Sequence, residues 1–162
     1  MMNILLRALI KFDDGLAKVE AGVLIVFVAV MTVVVFLQVF YRYVLTQPLH
    51  WSEELARYLF VWLSMFGASL AVQKRGHFGF DILFQAFPQR IRWYMRLAIH
   101  LLMEAVILVI LVQGVTLVQK TVPQESPAMG ISMGWAYACL PVGAALMALH
   151  LFVLLLKDAT DQ

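Results

Sequence analysis

The run from Ala21 to Tyr41 contains no Asp, Glu, Lys, Arg or His. A bilayer core of about 30 Å is crossed by about 20 helical residues at about 1.5 Å each, so this run predicts a membrane-spanning helix. The whole chain agrees, because 63% of its 162 residues are hydrophobic and 14% are charged, against about 45–50% and about 25% in soluble domains. A soluble enzyme is therefore excluded, and the length fits a single membrane domain, residues 1–162.

Three further apolar runs predict spans at about residues 53–73, 97–119 and 133–156. With the first span, at about 21–41, they predict an all-α integral membrane protein with four transmembrane helices. Pro141 lies inside the fourth run, where it predicts a kink, because proline lacks the N–H that an internal helical turn requires.

Two other segments, at about residues 1–20 and 78–94, are predicted to be amphipathic helices at the membrane interface. A cleaved signal peptide is the competing interpretation of the first segment, but charged residues interrupt its apolar run. The second mixes large apolar residues with charged ones and is interrupted at Pro88. In the first, the predicted apolar face carries Leu5, Leu9, Phe12, Leu16 and Val19, and the polar face carries Asn3, Arg7, Lys11, Asp14 and Lys18.

The basic residues are distributed unequally between the two sides of this topology. Nine lie on the side of both termini and three on the other, so the positive-inside rule predicts cytoplasmic termini. The nine are Arg7, Lys11, Lys18, Lys74, Arg75, Arg90, Arg92, Arg96 and Lys157, and the three are Arg42, Arg57 and Lys120. A net charge of +2 is too small to indicate nucleic-acid binding.

The second span opens with two carboxylates and a cation. Glu53 and Glu54 favour the positive end of a helix, Arg57 lies one turn after Glu53, Ser52 is a candidate N-cap, and Trp51 is an interfacial anchor. The same charges equally allow pairing across helices or with another subunit, since charges at this depth are usually paired.

Arg96, His100 and Glu104 recur every four residues and share one face of the third span. We expect Glu104 to lie within the hydrocarbon, where an ionisable group is a candidate functional site. We interpret this row as polar packing between helices, because a transport relay would need acids at that depth in other helices.

His100 and His150 lie in antiparallel spans at similar predicted depths, which leaves open a pair of axial haem ligands. Cys139 is the single cysteine, so the chain builds no internal disulfide and no cysteine-based metal site. No nucleophile motif, phosphate-binding loop or metal cage is visible, and we expect no catalytic residue, no metal and no cofactor.

Four groups of residues, taken in order, resemble the small membrane subunit (DctQ type) of tripartite ATP-independent periplasmic (TRAP) transporters. The resemblance covers the chain from Arg42 to Met147. The groups are Trp51-Ser52-Glu53-Glu54-Leu55-Ala56-Arg57, Gly67-Ala68-Ser69-Leu70-Ala71 with Arg75-Gly76-His77-Phe78-Gly79-Phe80-Asp81, Ser126-Pro127-Ala128-Met129-Gly130-Ile131, and Leu140-Pro141-Val142-Gly143.

The resemblance implies a non-catalytic, multi-pass protein of the bacterial inner membrane, engaged in sodium-coupled uptake of an organic acid. Its implied partners are a large multispanning subunit, which carries the substrate and sodium sites, and a periplasmic substrate-binding protein. The small subunit would brace the large one and help to dock the binding protein. The candidate interface residues are Arg42, Trp51, Glu53, Glu54, Arg57, Gln124 and Glu125.

Two other functions stay open from the sequence: a haem-bearing membrane anchor of a respiratory enzyme, and a self-contained small transporter acting as a homo-oligomer. Lys157 and Asp158 shortly before Gln162 favour a separate small subunit over a fused one.

Overall fold

A computed structural model describes residues 2–74 and 88–160. The described residues form five helices: α1 (Met2–Tyr43), α2 (His50–Gln73), α3 (Gln89–Thr121), α4 (Met133–Tyr137) and α5 (Cys139–Thr160). Within these ranges the only extended pairing is one isolated bridge between Glu125 and Ser132. Four stretches are long and apolar enough to cross a membrane: Leu6–Tyr43, His50–Gln73, Leu97–Thr121 and Met133–Lys157. The predicted all-α class with four spans is confirmed.

Helix α1 is continuous through the boundary that the sequence placed between residues 20 and 21. Its 42 residues correspond to a rod of about 63 Å at about 1.5 Å per residue. Phe12 and Val19, which belong to the apolar face predicted for its first third, are exposed in the bundle, and the interfacial position of this segment stays a prediction. Asp13, Ala17 and Glu20 are buried instead, since this face of α1 packs against α5.

The other predicted interfacial segment falls mostly outside the described residues, which omit 75–87. Its last part, from Gln89 onward, belongs to α3, and Pro88 occupies the N-cap position of that helix. Proline suits this place because the first turn of a helix needs no N–H from it.

Helix α2 begins three residues earlier than the predicted span. Its N-cap residue is Leu49, whereas Ser52 was the predicted cap. Ser52 is fully buried in the first turn, and its hydroxyl donates to the Leu49 carbonyl over 2.7 Å. The hydroxyl therefore satisfies a carbonyl of the turn before the helix, and no N–H of the helix itself.

The fourth span is interrupted at Ala138, between α4 and α5, three residues before the predicted kink at Pro141. Because Pro141 has no N–H, the carbonyl of Tyr137 loses its partner one turn later. Helical bonding resumes with the Val142 N–H, which donates to Ala138 O over 3.2 Å.

Helix α5 lies between α2 and α3, and α1 packs against α2 and α5. Small residues allow the close approach: a methyl group added at Gly143 would lie 2.8 Å from Met65 Cβ, and one at Gly114 would lie 3.0 Å from Pro141 Cδ. The core between these helices comprises Val72, Ile107, Ala144, Met147 and Leu151.

The bundle has two ends, which we name by what they carry. The loop end carries the α1–α2 turn, residues 44–49, and the α3–α4 loop, residues 122–132. The amino-terminal end carries the start of α1, the end of α2 and the end of α5.

Candidate functional site

At the loop end, the Glu54 carboxylate joins α2 to the α3–α4 loop. Its Oε2 accepts hydrogen bonds from the backbone N–H groups of Ala128 and Met129, both at 3.0 Å. Its Oε1 accepts the hydroxyl of Tyr58, one turn along α2, at 2.6 Å. A charged acceptor makes each of these bonds stronger than its neutral counterpart. We call this arrangement the Glu54 clasp.

The α3–α4 loop has a compact internal structure of its own. Gly130 adopts a φ of 64°, a left-handed conformation that glycine accepts without steric cost. This conformation lets the Gly130 N–H donate to Ser126 O and the Ser126 N–H donate to Ile131 O, at 3.0 and 2.8 Å. Ser132 caps α4 by accepting from the Gly134 N–H at 3.2 Å. The clasp therefore holds a preformed loop against α2.

The remaining interface candidates surround this clasp on exposed surface. Gln124, Glu125 and Arg57 are exposed, and Trp51 is 39% exposed. Glu125 pairs with Ser132 through the bridge. None of these side chains is needed to close the bundle core.

Beside them, Arg42 and Glu53 line an open cleft of about 400 Å³ between the end of α1 and the start of α2. Glu53 Oε1 lies 3.4 Å from Gln38 Nε2, a long contact on exposed surface. The Arg42 guanidinium lies 5.8 Å from the centre of the Tyr43 ring. Both charges are thus accessible at the loop end.

At the amino-terminal end, His150 of α5 lies between two carboxylates of α1. Its Nδ1 is 2.7 Å from Asp13 Oδ1 and its Nε2 is 2.9 Å from Glu20 Oε1. The three side chains are 0%, 3% and 4% exposed. Lys157 lies on α5, as His150 does, and its Nζ is 4.0 Å from Asp13 Oδ2. Asp13 and Glu20 share one face of α1 because they are two turns apart.

This geometry argues against the haem interpretation of the two histidines. Both ring nitrogens of His150 face carboxylate oxygens, so neither is directed at an iron. Among the described residues, no three His, Cys, Asp or Glu side chains are arranged to hold a metal ion.

The family model of the tripartite ATP-independent periplasmic transporters, DctQ component, matches residues 31–161. The chain belongs to the DctQ family. It is a multi-pass bacterial membrane protein, and the permease subunits of this family are non-enzymatic. The expected family resemblance is confirmed, together with the absence of catalysis that it implied.

Several relatives of this DctQ-family chain are transporter components. It is 37% identical to the sialic acid TRAP transporter permease protein SiaT of Haemophilus influenzae over 85% of its own length, and it spans 22% of that protein. It is 29% identical to the sialic acid TRAP transporter small permease protein SiaQ of Vibrio cholerae, over 80% of this chain and 75% of SiaQ. It is 30% identical to the C4-dicarboxylate small permease protein DctQ of Vibrio cholerae, over 51% of this chain and 34% of that protein.

The polar row predicted on α3 is described in part. Glu104 and His100 are half-buried, while the side chain of Arg96 lies outside the described part of the chain. Glu104 Oε2 is buried and has no hydrogen-bond partner among the described residues. The role of this row in helix packing stays a prediction.

Sequence reasoning missed the cluster of Asp13, Glu20 and His150 in this DctQ-family chain. Two signals were present: acidic residues seven apart share a helix face, and a lone histidine in an apolar span requires a partner. These two signals were not used, because the amphipathic pattern of residues 1–20 predicts that the apolar residues, and not these acids, face a buried surface.

Proposed function

We propose that this chain is the small permease subunit of a TRAP transporter that takes up an organic acid by sodium symport at the bacterial inner membrane. In this role it braces a large ion-coupled permease subunit and helps to dock a periplasmic substrate-binding protein. The relatives support an organic acid, since sialic acid and C4-dicarboxylates are named in their descriptions.

The observation that carries the docking role is the Glu54 clasp. A docking surface needs a fixed shape, because ordering a loop during binding costs affinity. Two backbone N–H groups of the α3–α4 loop are held by one carboxylate of α2. The exposed Gln124 and Glu125 are thereby presented on a positioned loop at the loop end.

The test compares Glu54→Ala with Glu53→Ala in the complete transporter. Glu54→Ala removes three hydrogen bonds and frees the loop, so we expect weaker capture of the binding protein and slower uptake with normal recovery of the large subunit. Glu53→Ala removes the neighbouring acid without freeing the loop, since Glu53 makes only the long contact to Gln38 in the described structure. Capture and uptake by Glu54→Ala equal to those of wild type would contradict the docking role of the clasp.

The bracing role is supported by apolar helix surface that the chain leaves uncovered. Ile25 and Phe36 of α1 and Leu102 and Val109 of α3 are all more than 60% exposed. Lipid covers such surface in any membrane protein, so the specific support has to come from exposed polar groups that suit a protein partner. Arg57, a cation exposed on α2 near the loop end, is such a group.

The test of bracing is recovery of the large subunit with this chain in detergent. Arg57→Glu should reduce recovery of the large subunit. It would replace a cation that pairs with the partner by an anion, which would be repelled by an acidic partner group or left unpaired. Arg57→Gln is the milder control. Normal recovery and uptake with Arg57→Glu would show that Arg57 is only a solvated residue of the helix start.

Reconstitution separates this proposal from a self-contained homo-oligomeric transporter. We expect uptake only when the large subunit and the binding protein are both present, and we expect it to require a sodium gradient. Uptake by this chain alone would reject the proposed role.

A further inference from the structure

Two opposite charges line the open cleft at the loop end without pairing with each other. Arg42 comes from the end of α1 and Glu53 from the start of α2. In the described part of the chain, neither side chain belongs to an ion pair. Glu53 has only the long contact with Gln38, and Arg42 has only the ring of Tyr43. Both charges are therefore available to a ligand in the cleft.

The cleft lies where the first span reaches the membrane surface. Residues 21–41 contain no charged side chain, and Arg42 is the first charge that follows them. Tyr43 and Trp51, both exposed, lie close in sequence to the residues of the cleft. Because tyrosine and tryptophan are enriched at the level of the lipid headgroups, the charges of the cleft are expected at that depth.

Exposed apolar surface continues from the cleft toward the middle of the membrane. Residues seven apart lie two turns along the same side of a helix. Val35 therefore shares a face of α1 with Arg42, and it is 40% exposed. Phe60 shares a face of α2 with Glu53 in the same way, and it is 60% exposed. Each lies about 10 Å deeper than its charged residue, within a half-core of about 15 Å.

We propose that this cleft binds the headgroup of a phospholipid that carries both a phosphate and a primary ammonium group. Arg42 donates to the phosphate, because its guanidinium presents several N–H groups in a fixed fork. Glu53 accepts from the ammonium, because a carboxylate only accepts hydrogen bonds. Thr46 and His50 line the same cleft and add a hydroxyl and an imidazole beside the charges. The acyl chains cover the apolar surface below.

A phospholipid satisfies this site more completely than a simple ion or a protein side chain does. An inorganic anion is attracted by Arg42 and repelled by Glu53. One protein side chain carries one charge and leaves the other residue of the cleft unpaired at the membrane boundary, where charges are usually paired. A soluble compound with the same two charges leaves the apolar surface uncovered. The volume of about 400 Å³ falls within the range of small-ligand sites, about 300–1,000 Å³.

Native mass spectrometry of the purified full chain in detergent measures this binding. The probes are phosphatidylethanolamine, phosphatidylcholine and phosphatidylglycerol with identical acyl chains. The first has ammonium N–H donors, the second has a quaternary ammonium without them, and the third has no ammonium. Wild type should retain phosphatidylethanolamine about tenfold more strongly than the other two, as expected for one charge-assisted hydrogen bond.

Two variants separate the two halves of the headgroup. Glu53→Gln should lower retention of phosphatidylethanolamine to that of phosphatidylcholine. Arg42→Gln should weaken retention of all three lipids, because each carries a phosphate. Glu125→Gln and Arg57→Gln are the matched controls and should behave as wild type, since these exposed residues of the loop end do not line the cleft. Thermal unfolding midpoints check that all four variants are folded.

Equal retention of the three lipids by wild type, or unchanged retention in both cleft variants, would overturn the proposal. Displacement of the lipid by soluble glycerophosphoethanolamine at equal concentration would also overturn it, because the apolar surface would then contribute nothing. In the complete transporter, the lipid should copurify with this chain. Its loss on assembly would reject the lipid and assign the cleft to a protein partner. Binding by the isolated chain is independent of the transporter role proposed above.

Discussion

Glu104 shows what single polar residues do inside this bundle. It lies half-buried on α3, and its Oε2 is buried without a partner in the described part of the chain. An unpaired buried oxygen costs about 1–3 kcal/mol. In contrast, the carboxylates of Asp13, Glu20 and Glu54 each reach a group on another element. Glu104 is therefore the acid of these four for which no contact with another element is described.

If Glu104 serves packing and not ion coupling, as we propose, Glu104→Gln should leave uptake and its ion dependence near those of wild type. The amide keeps the shape and hydrogen-bonding capacity of the acid but does not ionise. A Gln variant that assembles normally and loses ion-coupled uptake would move the coupling site into this chain.

Glu104→Leu should affect the stability of the isolated chain and the stability of the complex differently. The isolated chain should keep or raise its unfolding midpoint, because a buried unpaired oxygen is removed. The complex with the large subunit should lose about 1 kcal/mol if one interhelical hydrogen bond is lost. Recovery of the complex and thermal unfolding of the isolated chain measure the two effects.

Among the long helices, α5 is the one that packs against all three others. It contacts α2 through Gly143 and α3 through Pro141, at distances that admit no larger residue without movement. Its polar residue His150 then holds α1 at the amino-terminal end. One helix therefore connects the other three long helices.

We predict that Gly143→Ala destabilises the bundle, whereas Gly67→Ala does not. The new methyl group at residue 143 would meet Met65 Cβ at 2.8 Å, and such overpacking typically costs about 1–3 kcal/mol. A methyl group at Gly67 meets nothing within 4 Å in the described structure, so the better helix propensity of alanine should raise stability slightly. Equal unfolding midpoints for the two variants would contradict the assigned packing.

Element positions were largely predictable from the sequence, because uncharged runs and cationic flanks follow directly from the properties of a bilayer. The break before Pro141 was predictable for the same reason, since the missing N–H is a property of the residue. The continuity of α1 was not, because nothing local distinguishes a helix that bends onto a membrane surface from one that runs straight.

The candidate sites were predictable only in part, because they depend on partners distant in sequence. Glu54 was singled out, but its acceptance of the Ala128 and Met129 N–H groups requires the α3–α4 loop to fold back on α2. The partners of His150 lie 137 and 130 residues away, and only the packing of α1 against α5 brings them together.

For the whole molecule, the arrangement across the membrane is testable with cysteines. Cys139 is the only native cysteine and is buried, so Cys139→Ala provides a clean background. Cysteines at Gln47 and Gln124, both exposed at the loop end, should react with an impermeant maleimide added to intact cells. A cysteine at Gln85 should not, because the distribution of basic residues in the sequence predicts that this connection is cytoplasmic. Labelling of Gln85 from outside would invert the topology.

Because α1 is longer than the hydrocarbon core is thick, the chain extends farther from the membrane on one side than on the other. If the contact of Gln38 with Glu53 marks one edge of the hydrocarbon, Asp13 lies about 38 Å farther along the helix, beyond a core of about 30 Å. The residues before Asp13 extend about another 17 Å at that rise. One face of the bilayer then carries the α1–α2 turn and the α3–α4 loop. On the other face, the first turns of α1 extend past the hydrocarbon core.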